Sequence, residues 1–518
     1  MRNYGRQATV QPDDGAVELS PRRRRGILAV VAVALMMVVS AVSGLNVALP
    51  ELARDTGASQ TQLTWIVDAY TVVFAGMLLG AGALGDRYGR KRMLVAGLVV
   101  FGAGAGWAMT LDDPSALIVI RAVMGIGAAA VMPTTLAVIT TSFPEAERGR
   151  AIGLWVGVAG GGAVLGLFAS GILLEYFAWN SFFGLNVTLA ATALLGTIVL
   201  IPESRSSGPG RFDTAGAVLA LVAVSSLVFA IIEGSDQGWA EPLTLVAAAT
   251  AVLSLAGFVA RELTAAAPLL DVRLFRSRGF SAGSVSITIQ FFAAFGFFFL
   301  ILQYLQFVLG RTPLEAALTI LPLPFLLIPT ARLAPRLADR IGINITGALG
   351  LGSIAAGLAI ISTLTVSFSA VTFYSGLFFF AVGMGLAGTP ATTAITRSLP
   401  ESRQGVASAV NDVSREFGSA LGIALLGSLL TSTYRDALAP AVEGLPARVA
   451  EGASASIAFV QSERVRDLGP AAQPLIDAAA RAFVEGVSAA TLAGAAVVLA
   501  GAVFVLLRAP RKASAVSS

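Results

Sequence analysis

The chain has 518 residues, 56% of them hydrophobic and only 13% charged, with a mean hydropathy of +0.79. That balance excludes an ordinary soluble globular protein, whose charged fraction is about 25%. Cysteine and histidine are both absent, which excludes disulfides, thiol nucleophiles and Cys/His metal sites, so neither metal nor cofactor is expected.

Apolar segments long enough to cross a hydrocarbon core of about 30 Å follow one another along the chain. They lie at 26–49, 62–84, 93–111, 116–140, 150–174, 181–201, 213–232, 242–260, 280–309, 314–331, 345–364, 370–394, 406–430 and 486–508. Helices are expected throughout, because lipid offers the backbone no hydrogen-bond partner. Arg22 to Arg25 precede an apolar run, as in a signal peptide. The run from Gly26 to Leu49 is too long for one, so an uncleaved first helix is expected. The fold class is thus an all-α polytopic membrane protein.

The basic residues gather in alternate connections: the N-terminal tail, Arg87 to Arg92, Arg148/Arg150, Arg261 to Arg278, Arg332 to Arg340 and Arg508 to Lys512. By the positive-inside rule that side is cytoplasmic and holds both termini. The basic residues are not interleaved with aromatics on one surface, so no nucleic-acid partner is expected.

Leu84-Gly85-Asp86-Arg87-Tyr88-Gly89-Arg90-Lys91-Arg92 reappears as Leu337-Ala338-Asp339-Arg340-Ile341-Gly342. Pro144-Glu145 with Gly149 matches Pro400-Glu401 with Gly405, and Gly125-x-Gly127 matches Gly383-x-Gly385. A duplicated joint implies two copies of one helical bundle. The expected domains are a tail at 1–25, a six-helix bundle at 26–201, two inserted helices at 202–279, a second bundle at 280–508 and a tail at 509–518. A long extracytoplasmic loop is expected at 432–485, either as a cover or as a lid.

In the joint, Asp86 is placed to receive Arg87 or Arg90, or to face a helix N-terminus. Gly85, Asp86, Arg87, Gly89 and Arg90, with Asp339 and Arg340 in the second copy, are the candidate gate. Ordinary loop charges would explain the arginines but not the duplicated order.

Charges inside the spans are costly in lipid, which makes them functional candidates. Asp68 and Arg121 lie at matching depths, so an ion pair between them is expected, either static or used by protons and substrate. Asp412, Arg415 and Glu416 share one span. Two acids and one base leave a negative charge uncompensated, so Glu416 is the candidate proton carrier; the alternative is a packed Asp412–Arg415 pair with Glu416 facing a water-filled cavity. The phenylalanines at 291, 292, 295, 297, 298 and 299 either pack or face lipid, or else wall a cavity for aromatic substrates.

These motifs resemble the major facilitator superfamily, and within it the fourteen-helix drug:proton antiporter branch, over about 26–508. Asn46 to Pro50, Trp65 to Tyr70, Arg121-x-x-x-Gly125 with Pro133, Gln303 to Gln306 and Asn411-Asp412 carry the likeness together with the Asp86 joint. The resemblance implies two six-helix bundles plus two inserted helices. It also implies export of small amphipathic compounds against inward proton flow, without ATP, by a monomer in the bacterial plasma membrane. Gly157, Gly161, Gly162 and Gly166 fall on the helix that carries the family's antiporter motif, where close helix packing is the alternative reading. The chain departs from the family's pattern at Ala41, where a membrane-embedded Asp is common. It departs again at Gly166-Leu167, where Gly-Pro is usual, and at Trp179-Asn180-Ser181, where Trp-Arg-Trp is usual. Those departures keep open a dedicated exporter of an endogenous lipid, siderophore or antibiotic. A non-transporting sensor is a further alternative. No nucleophile–base pair or phosphate-binding loop points to an enzyme.

Overall fold

A computed structural model describes residues 19–204, 213–265, 268–398, 404–462, 465 and 472–510. Among these residues the regular elements are helices and no strand occurs. The first half comprises α1 (Pro21–Ser43), α2 (Leu45–Thr56), α3 (Gln60–Tyr88), α4 (Arg90–Ala108), α5 (Pro114–Ser142), α6 (Glu145–Tyr176) and α7 (Ser181–Leu200). The inserted pair is α8 (Thr214–Asp236) and α9 (Pro242–Thr264). Then come α10 (Arg278–Gln303), α11 (Pro313–Ile320), α12 (Pro322–Ile341), α13 (Ile343–Ile361) and α14 (Ala370–Arg397). The chain finishes with α15 (Gln404–Val442), α16 (Ala447–Ala455), α17 (Ile457–Val460) and α18 (Ala472–Arg508). Eleven helical stretches among the described residues are long and apolar enough to cross a membrane. The chain is an all-α, multi-pass membrane protein.

Local chemistry sets several boundaries. Ser59 and Gln62 form a reciprocal capping box at the start of α3, and Thr312 with Glu315 does the same at α11. Two expected spans are split. The first divides at Gly44 into α1 and α2, and Pro50 lies inside the short α2. The tenth divides at Leu321, because Pro322 starts a new helix more readily than it continues one. The expected loop at 432–485 is largely helical: α15 runs on to Val442, α16 and α17 follow, and α18 begins at Ala472. Residues 463, 464 and 466–471 of that loop, 1–18 and 511–518 of the tails, Pro400 and Glu401 lie outside the described residues.

In the first half α5 packs against α3 and α4, and α1 lies against α5, α6 and α7. In the second, α14 packs on α12 and α13, while α10 lies on α15 and α18. The halves meet where α3 faces α15, α2 faces α10, and α6 faces α11. One apolar cluster runs through both. The inserted α8 lies on its partner α9, on α3 and on α15. The start of α1 is tied to the end of α7 by Arg23 Nε donating to the Leu200 carbonyl at 2.9 Å. Arg508 closes α18 onto the Arg276 carbonyl. Both ends of the helical body therefore sit at one end of the bundle, called here the terminal end.

Candidate functional site

The charged side chains expected inside the membrane line the seam between the halves. Asp68 is fully buried on α3. Its Oδ1 accepts a hydrogen bond from the Thr71 hydroxyl at 3.0 Å, and its Oδ2 has no partner. Neighbours one turn away place it. Thr64 lies against Gly427 of α15, and Val72 packs in a cluster with Ala420 and Ala424 of the same helix. Residues four apart share a helix face, so Asp68 looks toward α15.

The expected Asp68–Arg121 ion pair does not form. Arg121, also fully buried, donates from Nε to the Ile66 carbonyl at 2.9 Å and lays its guanidinium 4.4 Å from the centre of the Tyr70 ring. The reason is angular. Asp68 and Tyr70 are two residues apart, about 200° around the helix, so the side of α3 that meets Arg121 is not the one carrying Asp68. The backbones of α3 and α5 are close here: a Cβ on Gly125 would sit 2.6 Å from the Tyr70 carbonyl. Arg121 Nη1 and Nη2 have no hydrogen-bond partner. The Tyr70 hydroxyl donates to the Val38 carbonyl of α1 at 3.1 Å and lies within electrostatic reach of both Arg121 and Glu416. The structure thus brings Arg121 and Tyr70 together between α3 and α5.

On α15, Arg415 turns away from Asp412 and sits 5.0 Å from the ring centre of Phe291 on α10. No hydrogen-bonded Asp412–Arg415 pair forms, although Arg415 still acts on both acids through space. Phe291 stacks on Phe295, and Phe297 on Phe380. Phe292, Phe297 and Phe299 are buried, so the aromatic run of α10 is largely internal packing.

At the joint, Gly89 has φ +111° and Gly342 has φ +100°, so the two copies share a backbone turn that only glycine adopts freely. Among the described side chains, a carboxylate at the first copy is that of Glu203, beyond α7. Its Oε1 accepts from the Lys91 amide at 3.1 Å at the N-terminus of α4, and its Oε2 lies 3.6 Å from Arg92. A Cβ on Gly89 would stand 2.5 Å from Glu203 Oε1. Gly85 is buried against Thr134. Arg87 is exposed over Tyr88, and the Arg90 amide donates to the Ser204 carbonyl at 2.9 Å. The Asp86 side chain lies outside the described residues. Asp339 and Arg340 of the second copy are exposed at the end of α12.

On α6, Gly166 touches α1: a Cβ there would lie 2.8 Å from Ser40 Cα and from Ser43 Oγ. Gly162 faces Met36 and Val39 of α1, whereas the surroundings of Gly157 and Gly161 lie outside the described residues. Leu167 and Ala41 are both buried.

Hydrogen bonds between described residues of the two halves lie at the end opposite the termini. Gln306 Nε2 donates to the Val47 carbonyl at 3.0 Å, and Arg54 donates to Gln461 Oε1 at 3.2 Å. Gln461 in turn donates to the Phe307 carbonyl at 2.6 Å, and Arg54 stacks 5.3 Å from the Phe307 ring centre. Beside Arg54, burial and then the Asp55 charge push the Glu51 carboxyl above its ordinary value. A cavity of about 400 Å³ lies behind this contact, walled by Phe307, Val366, Ile457, Val460 and Ile476, with Gln461 and Asp477 at its polar edge.

The seam charges were legible as intramembrane charges. Glu203, Gln461 and the role of Tyr70 were not, because their partners are remote in sequence; Glu203 meets Lys91 across more than a hundred residues.

Comparison with known proteins agrees with this architecture. Residues 31–423 match the model of the Major Facilitator Superfamily. The multidrug resistance protein Stp of Mycobacterium tuberculosis is 35% identical over 77% of this chain and 74% of its own length. The multidrug efflux pump LfrA of Mycolicibacterium smegmatis is 32% identical, covering 94% of this chain and 96% of its own. The methyl viologen resistance protein SmvA of Salmonella typhimurium is 34% identical over 90% and 95%. Among solved structures, a bacterial homologue of the human lysosomal transporter Spinster, inward-facing and unoccupied, superposes with a TM-score of 0.65 at 16% identity over 95% of this chain and 99% of that one. With the same glycine turn recurring in each half and charged side chains buried inside the helical body, the chain belongs to the Major Facilitator Superfamily and is a membrane transporter, not an enzyme.

Proposed function

We propose that the chain exports small amphipathic, drug-like compounds across the bacterial plasma membrane in exchange for protons, by alternating access. It works as a monomer of fourteen spans, with both termini cytoplasmic and the proton gradient, not ATP, as its energy source. Its units are a bundle at 26–201, the inserted pair at 202–279 and a bundle at 280–508. The single observation that carries this reading is the set of under-partnered charges on the seam. Asp68 keeps one oxygen free and Arg121 two nitrogens, all shielded from bulk solvent. A structural pair would have satisfied both. Relatives named for multidrug resistance and efflux support the cargo class.

In this reading Asp68 and Glu416 exchange a proton for cargo, with Asp412, Arg415 and Arg121 adjusting their charge balance. Closure opposite the termini, through Arg54, Gln306 and Gln461, corresponds to a cavity open to the cytoplasm. The joint around Gly85, Asp86, Arg87, Gly89 and Arg90, with Asp339 and Arg340, makes and breaks cytoplasmic contacts. Gly162 and Gly166 hold α6 close to α1 while the bundles rock, and Gly157 and Gly161 belong to the same small-residue pattern. The test is substrate-driven proton release in inverted vesicles. Asp68→Asn and Glu416→Gln are each expected to cut coupled transport at least about tenfold while the protein remains monodisperse. Intact coupling in both variants refutes the assignment.

A second reading narrows the cargo to one endogenous compound. Buried Ala41, where the family commonly carries an acid, favours it, and one relative is named as a tetracenomycin C resistance and export protein of Streptomyces glaucescens. Transport of a single chemical class across a compound panel distinguishes it from broad efflux.

A further inference from the structure

The inserted helix α8 grips both halves, and it does so at the end where the seam is closed. On the first half, Trp65 of α3 donates from its indole nitrogen to Glu233 Oε1 at 2.8 Å, and its ring meets Phe229 at 5.7 Å. Lower on the same face, Gly76 lets Leu221 approach so closely that a Cβ would sit 2.9 Å from the Leu221 Cα. On the second half, the Ser428 hydroxyl of α15 donates to the Ile231 carbonyl at 3.2 Å. Arg435, one to two turns further, is bonded through Nη2 to Asp236 Oδ1 and donates from Nη1 to the Asp236 carbonyl at 2.8 Å. Between these polar ties, Val228 and Ile232 pack with Val72 of α3 and with Ala420 and Ala424 of α15. Glu233 and Asp236 are three residues apart at the end of α8, and each serves a different half.

We propose that α8 is a releasable brace across the α3–α15 seam, with the Asp236–Arg435 ion pair as its catch. The proposal rests on the alternating-access reading. When the halves separate at this end, α8 cannot keep both grips. Its contact with α3 runs from Trp65 to Gly76, whereas its polar hold on α15 is one hydroxyl and one partly exposed arginine, Arg435, bonded to the Asp236 carboxylate and carbonyl. The grip on α15 is therefore the one that lets go, and α8 travels with the first half. The inserted pair is then a conformational element that sets how readily the outward-open state is reached.

The chain has no native cysteine, so an introduced thiol reports alone. Thr64→Cys places one in the closed seam against Gly427. In proteoliposomes of the otherwise intact protein, labelling of that thiol by a membrane-impermeant maleimide measures opening. Asp236→Ala is expected to raise the labelling rate about two- to fivefold, the effect of losing one partly screened ion pair. The exchange Asp236→Arg with Arg435→Asp is expected to restore protection. Arg54→Gln, which loosens the other contact at this end, serves as the reference. A rise with Arg54→Gln but none with Asp236→Ala overturns the brace alone. No rise in either overturns both the rocking motion and the brace. A rise that the charge exchange leaves in place also overturns the catch, because lost packing would then be responsible.

Discussion

At the residue scale, the decisive contact is the Arg121 guanidinium over Tyr70, 4.4 Å from its ring centre. A planar cation spreads over a ring face in a way an ammonium does not, and its Nε keeps a fixed direction toward the Ile66 carbonyl. Arg121→Lys is therefore expected to lower the initial transport rate in proteoliposomes about tenfold, the kinetic equivalent of about 1–2 kcal/mol of lost cation–ring contact. Tyr70→Phe keeps the ring and loses only the hydroxyl bond to Val38, so its thermal unfolding is expected to shift by about 1 kcal/mol, with a smaller change in rate. An unchanged rate in Arg121→Lys shows that the ring contact has no part in transport. Which residues were charged, and that they lay inside the membrane, was plain from hydropathy alone. Who faces whom was not. Matching depth suggested Asp68 for Arg121, but depth is one coordinate, and the angle around α3 hands Arg121 to Tyr70 instead.

At the element scale, the turn between α3 and α4 combines a left-handed glycine with an anion at a helix N-terminus. Gly89→Ala adds strain at φ +111° and drives a methyl group toward Glu203. A loss of about 1–3 kcal/mol is expected, read as a lower unfolding temperature of the purified protein. Glu203→Gln keeps the hydrogen-bond acceptor but removes the charge from the start of α4, for an expected loss of about 0.3–1 kcal/mol that salt diminishes. If Glu203→Gln is as damaging as Gly89→Ala, the carboxylate has a role beyond capping. On α6, Gly166→Val must push α1 away from Ser40 and Ser43. A cost of about 1–3 kcal/mol is expected from overpacking, with transport lost before folding. The motif's order and its duplication announced this turn, and both glycines adopt it. Glu203, which also contacts the turn, comes from outside the motif and was not legible, because a loop's sequence does not say which distant chain end will be laid beside it. The split of the tenth span follows from Pro322 and that of the first falls at Gly44, both visible in the sequence, but hydropathy windows average over such breaks.

At the scale of the whole molecule, the repeat was the signal that pointed to two halves, and both of its glycines take the same left-handed turn. Repetition is a long-range signal and survives the loss of local detail. The course of segment 432–485 was less legible, since amphipathic helix and covering loop have similar composition. Orientation remains a prediction with a direct check. With Ser20→Cys or Asp477→Cys as the sole thiol, intact cells exposed to an impermeant label are expected to react at 477 and not at 20. The reverse pattern inverts the topology and with it the assignment of the joint to the cytoplasm. A protonophore is expected to abolish efflux from cells that overproduce the chain, whereas depletion of ATP at constant proton gradient leaves it intact.

Glu203 occupies a particular spot along the chain. It is the last acidic residue before the stretch that leads from the first half to Asp213 and α8, while its side chain is engaged at Lys91 and Arg92. The rope that tethers one half of the protein to the other is therefore knotted to the knuckle on which that half bends. Shortening 205–212 is therefore expected to disturb the start of α4, read as a lower unfolding temperature that Glu203→Gln no longer lowers further.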